Sequence, residues 1–192
     1  MSGAAPGTPA VSTETPKLPT VKDWKFCPRC GDRTRIDGDG EDTHVECPAC
    51  GFTKYDNPLP TTVGLVLDGD RILLLRREQE PRKGSWDTVG GFLSGAETAE
   101  DNLVREGLEE IGCELRNLRF AGSYPSVYGD TGLTTIGLAF VCELPPDAEI
   151  VLSEENSEYA WFPLDDRPPL AFADCEAAVA ALAALTSRTG SA

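Results

Sequence analysis

The chain has 192 residues, with 17 Lys and Arg against 32 Asp and Glu and a formal net charge of −15. A field of that sign repels nucleic-acid backbones and anionic membrane surfaces, so polymeric DNA or RNA and a lipid bilayer are disfavoured as partners. It leaves a small phosphorylated ligand open, because a bound divalent cation reverses the local sign inside a site.

Residues 1–22 are rich in Ala, Pro, Thr and Ser and read as a disordered tail. They lack the basic start and apolar stretch of a secretory signal, and no run of about eighteen apolar residues follows, so no membrane span is expected. The expected location is the cytoplasm. The only histidine is His44, far from any candidate nucleophile motif, which removes Ser-His-Asp and Cys-His mechanisms.

Residues 23–54 carry Cys27-Pro-Arg-Cys30-Gly31 and Cys47-Pro-Ala-Cys50-Gly51. Two Cys-x-x-Cys turns present two pairs of thiolates, the donor set of a tetrahedral structural zinc site. The glycine after each second cysteine lets the chain fold back around the metal. A closed four-cysteine site has no open position, so its role is structural. His44 is a further candidate ligand, with a solvated loop position as the alternative. Against Asp32, Asp37, Asp39, Glu41 and Asp42, the four cations Lys25, Arg29, Arg33 and Arg35 are too few to make a basic face.

Next, TTVGLVLDGDRILLLRR reads as two strands joined by a turn around Gly69. A loop with Pro81, Gly84, Gly90 and Gly91 leads to a helix from about Thr98, stopped by Gly112. Further strands are expected at Asn117 to Tyr124, Thr134 to Leu144 and Glu158 to Pro163, and a last helix from Ala173 to Leu185. At about 100° per residue, Glu106, Glu109 and Glu110 share one arc of the first helix. Val104, Leu108 and Ile111 fall opposite, as the expected packing face. Like charges at that spacing destabilise a helix unless a cation offsets them, and three hard oxygen ligands suit Mg²⁺ or Mn²⁺.

The pattern Gly91, five residues, Glu97, seven residues, Arg105-Glu106, two residues, Glu109-Glu110, one residue, Gly112 resembles the Nudix box. CPRCG, CPACGFTKYDNPLP, EPRKGSWDTVGGF and WFPLDD extend the likeness to the zinc-ribbon-bearing branch of the Nudix hydrolases. The resemblance implies an α+β fold, a mixed sheet sandwiched between helices, over residues 57–188 behind the zinc ribbon. It also implies a metal-dependent hydrolase of a diphosphate linkage in a nucleotide-like small molecule. Its metal ligands would be Glu106, Glu109 and Glu110, with the carbonyl near Gly91. Glu97 would support the metal's water network and Arg105 would hold the carboxylates. The box departs from the usual pattern at Val89, Ser94, Ala96, Gly107 and Cys113, and keeps every core ligand.

The general base is Glu110, Glu155 or Glu158. Arg76, Arg77, Arg82 and Lys83 are candidates to meet substrate phosphates, and Tyr124 and Tyr128 to stack on a base or ribose. GSYPSVYGDTG does not reproduce the signature of nicotinamide-dinucleotide pyrophosphatases, so ADP-ribose, a nucleotide sugar or another dinucleotide fits at least as well as NADH. A homodimer is compatible with the family. The alternative to an enzyme is a nucleotide-sensing protein with an inactive Nudix-like domain.

Overall fold

The computed structural model describes Lys17 and residues 20–189. Most of the expected tail, residues 1–16, 18 and 19, lies outside the described residues. Its last part does not read as tail: Val21–Asp23 form a short 3₁₀ turn, and Lys22 pairs with Asp56 at 3.2 Å.

Three short strands follow, β1 (Arg35–Asp37), β2 (His44–Glu46) and β3 (Thr53–Tyr55), paired antiparallel in that order. Their only buried strand residue is Val45, so this small sheet has almost no core of its own. His44 is on β2 and not in a loop. Its Nδ1 bonds the Asp42 carbonyl at 2.7 Å and its ring lies 4.9 Å from that of Tyr55.

The larger unit contains β4 (Leu59–Asp68), β5 (Arg71–Arg77), β6 (Trp86–Asp87), α1 (Ala99–Ile111), β7 (Arg116–Val127), β8 (Thr134–Glu143), β9 (Asn156–Pro163) and α2 (Ala173–Thr189). Its sheet runs β6-β5-β4-β8-β7, with β9 also on β5. The β4–β8 pair is parallel and the others are antiparallel. Both faces of the sheet are covered, which explains the unbroken apolar run Ile72-Leu73-Leu74-Leu75 on β5. Leu73 and Leu75 point to a core shared with Leu103 and Ile111 of α1, while Ile72 and Leu74 point to one shared with Ala178 and Val179 of α2. The expected sandwich of sheet between helices is therefore present.

One irregularity makes the site. After the turn, β4 and β5 pair only at Leu67–Ile72 and Asp68–Arg71, then separate. The free edge of β4 is taken instead by the loop after β6. Gly64 N donates to Val89 O at 2.7 Å, Thr62 N to Gly91 O at 2.9 Å, and Leu93 N to Pro60 O at 3.1 Å. This contact is closest at Gly90, where φ is +148° and a Cβ would collide with the Thr62 carbonyl. Only glycine fits there.

Candidate active site

Helix α1 starts on Thr98, whose side chain accepts from Asp101 N at 3.1 Å, and ends at Gly112 in the left-handed conformation. Both are ordinary helix-ending chemistry. The buried line is Asn102, Leu103, Gly107 and Ile111, whereas Leu108 is 52% exposed. This corrects the expected packing face at Leu108, whereas Ile111 is buried as expected. The helix contacts the sheet beside its carboxylates, so Glu106 and Glu110 look inward and not away from the protein. Gly107 lets the chain leaving the helix pass close beside it, because a Cβ there would sit 2.7 Å from Leu115 Cγ and 2.8 Å from Cys113 O.

The carboxylates open on a cavity of about 400 Å³ in the fork between β4 and β5. Glu110 accepts from Gly90 N at 3.0 Å. Burial pushes its carboxyl well above the ordinary range; the Gly90 N–H opposes this, and Asp87, Glu106 and Glu155 add to it. Burial likewise raises Glu106, against the pull of Arg105. The proton affinity of both groups reports negative charge crowded in a desolvated space. Glu109 differs. Its side chain is 59% exposed and is held by Arg105 Nη1 at 2.7 Å. The three carboxylates do not close into a set as tight as the cysteine sulfurs.

Glu97 anchors this arrangement. Its oxygens accept from Ser94 N, Asn102 Nδ2 and both Nε and Nη2 of Arg105, at 2.7 to 3.1 Å. The Arg105 hydrogen bond is the largest reason that its carboxyl lies well below the usual carboxylate range. Arg105 in turn contacts Glu106 at 2.9 Å. The carbonyl of Gly91 is engaged by Thr62 N, and a Cβ on Gly91 would lie 2.5 Å from Glu106 Oε1.

The other sequence candidates divide. Arg77, Tyr128 and Glu155 line the cavity; Arg76, Arg82, Lys83, Tyr124 and Glu158 do not. Arg77 donates to Asp87 Oδ2 at 3.1 Å and its guanidinium lies 4.9 Å from the Phe172 ring centre. Tyr128 stacks on Phe172 at 5.2 Å and meets Phe92 edge-on at 5.1 Å. Arg76 and Arg82 are tied to Glu158 and Asp130, and Tyr124 packs toward α2.

Several lining residues carry no sequence signal of their own. Asp87, Thr88, Asp174 and Cys175 form a buried polar cluster, with Cys175 Sγ donating to Asp87 Oδ1 at 3.3 Å. Burial raises the carboxyls of Asp87 and Asp174. Asn102 is buried and links Thr62, Phe92 O and Glu97. A polar residue on the packing side of a helix one turn before Glu106 was the one available clue to it.

In the small sheet, the four cysteine sulfurs all lie within 4.8 Å of one another. The Cys27–Cys50 and Cys30–Cys47 separations are 3.7 and 3.5 Å. Zn–S bonds of about 2.3 Å in a tetrahedron require edges of roughly 3.8 Å, so the sulfurs fit a metal ion of that kind. His44 belongs to a different group, with Asp37 and Glu46.

Residues 58–182 match the NUDIX domain family. The chain belongs to the Nudix family. Among its relatives, the NAD-capped RNA hydrolase NudC of Pseudomonas aeruginosa is 35% identical over 149 residues, covering 76% of this chain and 50% of the relative. NudC of Haemophilus influenzae is 33% identical over 156 residues, 78% of this chain and 56% of that one. The chain thus spans about half the length of these relatives. In fold, its Nudix domain resembles a NUDIX hydrolase from Nitrosomonas europaea, with a TM-score of 0.62 at 24% identity over 78% of this chain and 85% of the other. It also resembles the NUDIX domain of Shewanella oneidensis NrtR complexed with ADP ribose, with a TM-score of 0.56 at 21% identity over 68% and 90%. Nudix hydrolases use divalent metals, and among the described residues no helix is long and apolar enough to cross a membrane.

Proposed function

We propose that this chain hydrolyses a diphosphate bond in a nucleotide-linked small molecule, using Mg²⁺ or Mn²⁺ held by Glu106, Glu109 and Glu110. The observation that carries this reading is the convergence, in one cavity, of the box carboxylates with Glu155 from the loop before β9. The buried, crowded carboxylates are a donor set that a divalent cation relieves. When bound, the cation stabilises charge on phosphate oxygens and activates water.

The remaining work falls to the chain itself. Arg105, clamped by Glu97, sets the positions of Glu106 and Glu109. Glu155 lines the cavity in no ion pair with a described residue and takes the proton of the attacking water; Glu158, held by Arg76 outside the cavity, does not serve. Phe92, Tyr128 and Phe172 offer an aromatic wall for a base or other planar ring, with Arg77 beside it. The NAD-capped RNA hydrolases among its relatives favour an NAD-linked diphosphate among the candidate substrates, alongside ADP-ribose. A structural Zn²⁺ in the four-cysteine site completes the cofactors.

The test is product release from NADH, ADP-ribose, a nucleotide sugar and a diadenosine polyphosphate, with Mg²⁺ and with Mn²⁺. Wild type should cleave at least one of them in a metal-dependent way, and Glu109→Ala and Glu155→Gln should lose that activity. Nucleotide binding without turnover of any member would replace the enzyme by a sensor.

A further inference from the structure

The cavity is two-sided. Along a strand, neighbouring side chains face opposite ways, yet Thr61, Thr62 and Val63 of β4 all line it. Thr62 faces α1, where it bonds Asn102, and Val63 belongs to the core under α2. Where β4 and β5 part, the space therefore continues through the sheet. The box glutamates lie on the α1 side, and Phe172, Asp174 and Cys175 on the α2 side. On this second side Asp87 is fully engaged, by Arg77 Nη1 at 3.1 Å, Thr88 N at 2.9 Å and Cys175 Sγ at 3.3 Å. Asp174 is not. It is 5% exposed and its Oδ1 accepts from Cys175 N at 3.1 Å, but no cation among the described residues pairs with it. Gly137 of β8 makes room for its other oxygen, since a Cβ there would lie 2.6 Å from Oδ2. The Cys175 N–H and a place in the first turn of α2 favour the ionised form. A buried charge without a cation calls for a hydrogen-bond donor. Asn156, also in the cavity wall and 8% exposed, has an Nδ2 without a partner. Two buried polar groups short of partners beside one cavity mark where a polar ligand completes the bonding.

We propose that Asp174 is a specificity-determining residue, which selects a substrate whose planar ring carries an exocyclic N–H donor. An aminopurine or a carboxamide-bearing pyridine has that chemistry. The inference rests on the hydrolase reading above and names the part of the substrate which that reading leaves open. Tyr128 and Phe172, stacked at 5.2 Å, accept a flat ring by its face and do not distinguish one ring from another. Asp174, two residues beyond Phe172, meets the ring's edge. An ionised carboxylate accepts hydrogen bonds and cannot donate them. It gains a charge-assisted bond from an N–H and is left unpaired by an edge that bears only acceptors.

The experiment measures dissociation constants by calorimetry on the full chain in Mg²⁺, for two pairs of mononucleotides. AMP is set against the 5′-monophosphate of unsubstituted purine riboside, and nicotinamide mononucleotide against its nicotinic acid counterpart. In at least one pair the member with the N–H donor should bind about ten- to a hundredfold more tightly, as expected for a hydrogen bond to a charged group. The pair that discriminates identifies the ring. Asp174→Asn keeps the shape and presents an amide that can offer either a donor or an acceptor, so its preference should fall to about threefold or less. The preference is a ratio taken on one protein, so a less stable variant still reports it, and the wild-type pairs test the idea without any variant. Equal binding within both pairs would overturn the proposal. So would a preference that persists in Asp174→Asn, or no binding of either AMP or nicotinamide mononucleotide at millimolar concentration. These affinities do not require turnover. Failure to release product from any small diphosphate would instead sink the hydrolase reading beneath the proposal.

Discussion

Gly107 shows how a residue's effect depends on what stands beside it. On helix propensity alone, Gly107→Ala should stabilise α1 by about 1 kcal/mol. In the folded chain the new methyl would lie 2.7 Å from Leu115 Cγ. Overpacking of that kind costs roughly 1–3 kcal/mol, so the substitution should lower stability in urea unfolding, not raise it. Glu97 gives the second prediction at this scale. It touches the helix carboxylates only through Arg105. Glu97→Gln should lower activity or metal affinity by about 10–100-fold, as for groups that orient metal ligands. Its melting temperature should also fall, because a carboxyl depressed in the folded state contributes stability, so activity and metal affinity are compared where the variant is fully folded. A variant with full activity would reduce Glu97 to a loop staple.

At the scale of elements, α2 is fastened to the chain before it through Glu176. This carboxylate accepts from Arg167 Nη2 at 2.6 Å and from Leu170 N. The Arg167 hydrogen bond is the main reason that its proton affinity is lowered. A carboxyl depressed in the folded state contributes stability that is complete above its unfolded value, about 4.3 for Glu, and is lost as pH falls through the folded value. Wild type should therefore melt above Glu176→Gln at neutral pH, with the difference shrinking as pH drops below about 4. Helix α1 and the strand pair β4–β5 were legible in sequence, because caps, period and turn residues are local signals. The packing side of α1 was not. Leu108 belongs to the apolar arc by periodicity, yet it is exposed because the helix packs through Leu103 and Ile111, with Gly107 against the segment Cys113–Leu115 that follows it.

On the scale of the whole molecule, the ribbon and the Nudix domain differ in what holds them. The larger unit has two cores, one under each helix. The small sheet buries Val45, Cys27 and Cys47 and little else, so its fold should depend on metal bound by the sulfurs. The purified chain should carry one zinc ion. A strong thiol-directed chelator should abolish protection of residues 24–55 from hydrogen exchange while β4, β5 and β8 stay protected. Collapse of both together would mean that the ribbon is part of the domain's stability.

The four thiols, the spaced carboxylates and the helix that presents them follow from the order of residues alone. Each depends on spacing within a few turns of chain, where geometry is nearly invariant. Of the residues outside the box that face the cavity, the sequence could offer only candidates, and Arg76 looked no different from Arg77, nor Glu158 from Glu155. The tertiary structure separated them through strand register. Because β5 and β9 pair with Leu75 opposite Tyr159 and a register shift at Arg76–Arg77, Arg77 and Glu155 reach the fork between β4 and β5, and their neighbours meet each other outside it. A one-residue step along a strand reverses the face of a side chain, and no local pattern specifies where two strands distant in sequence will align.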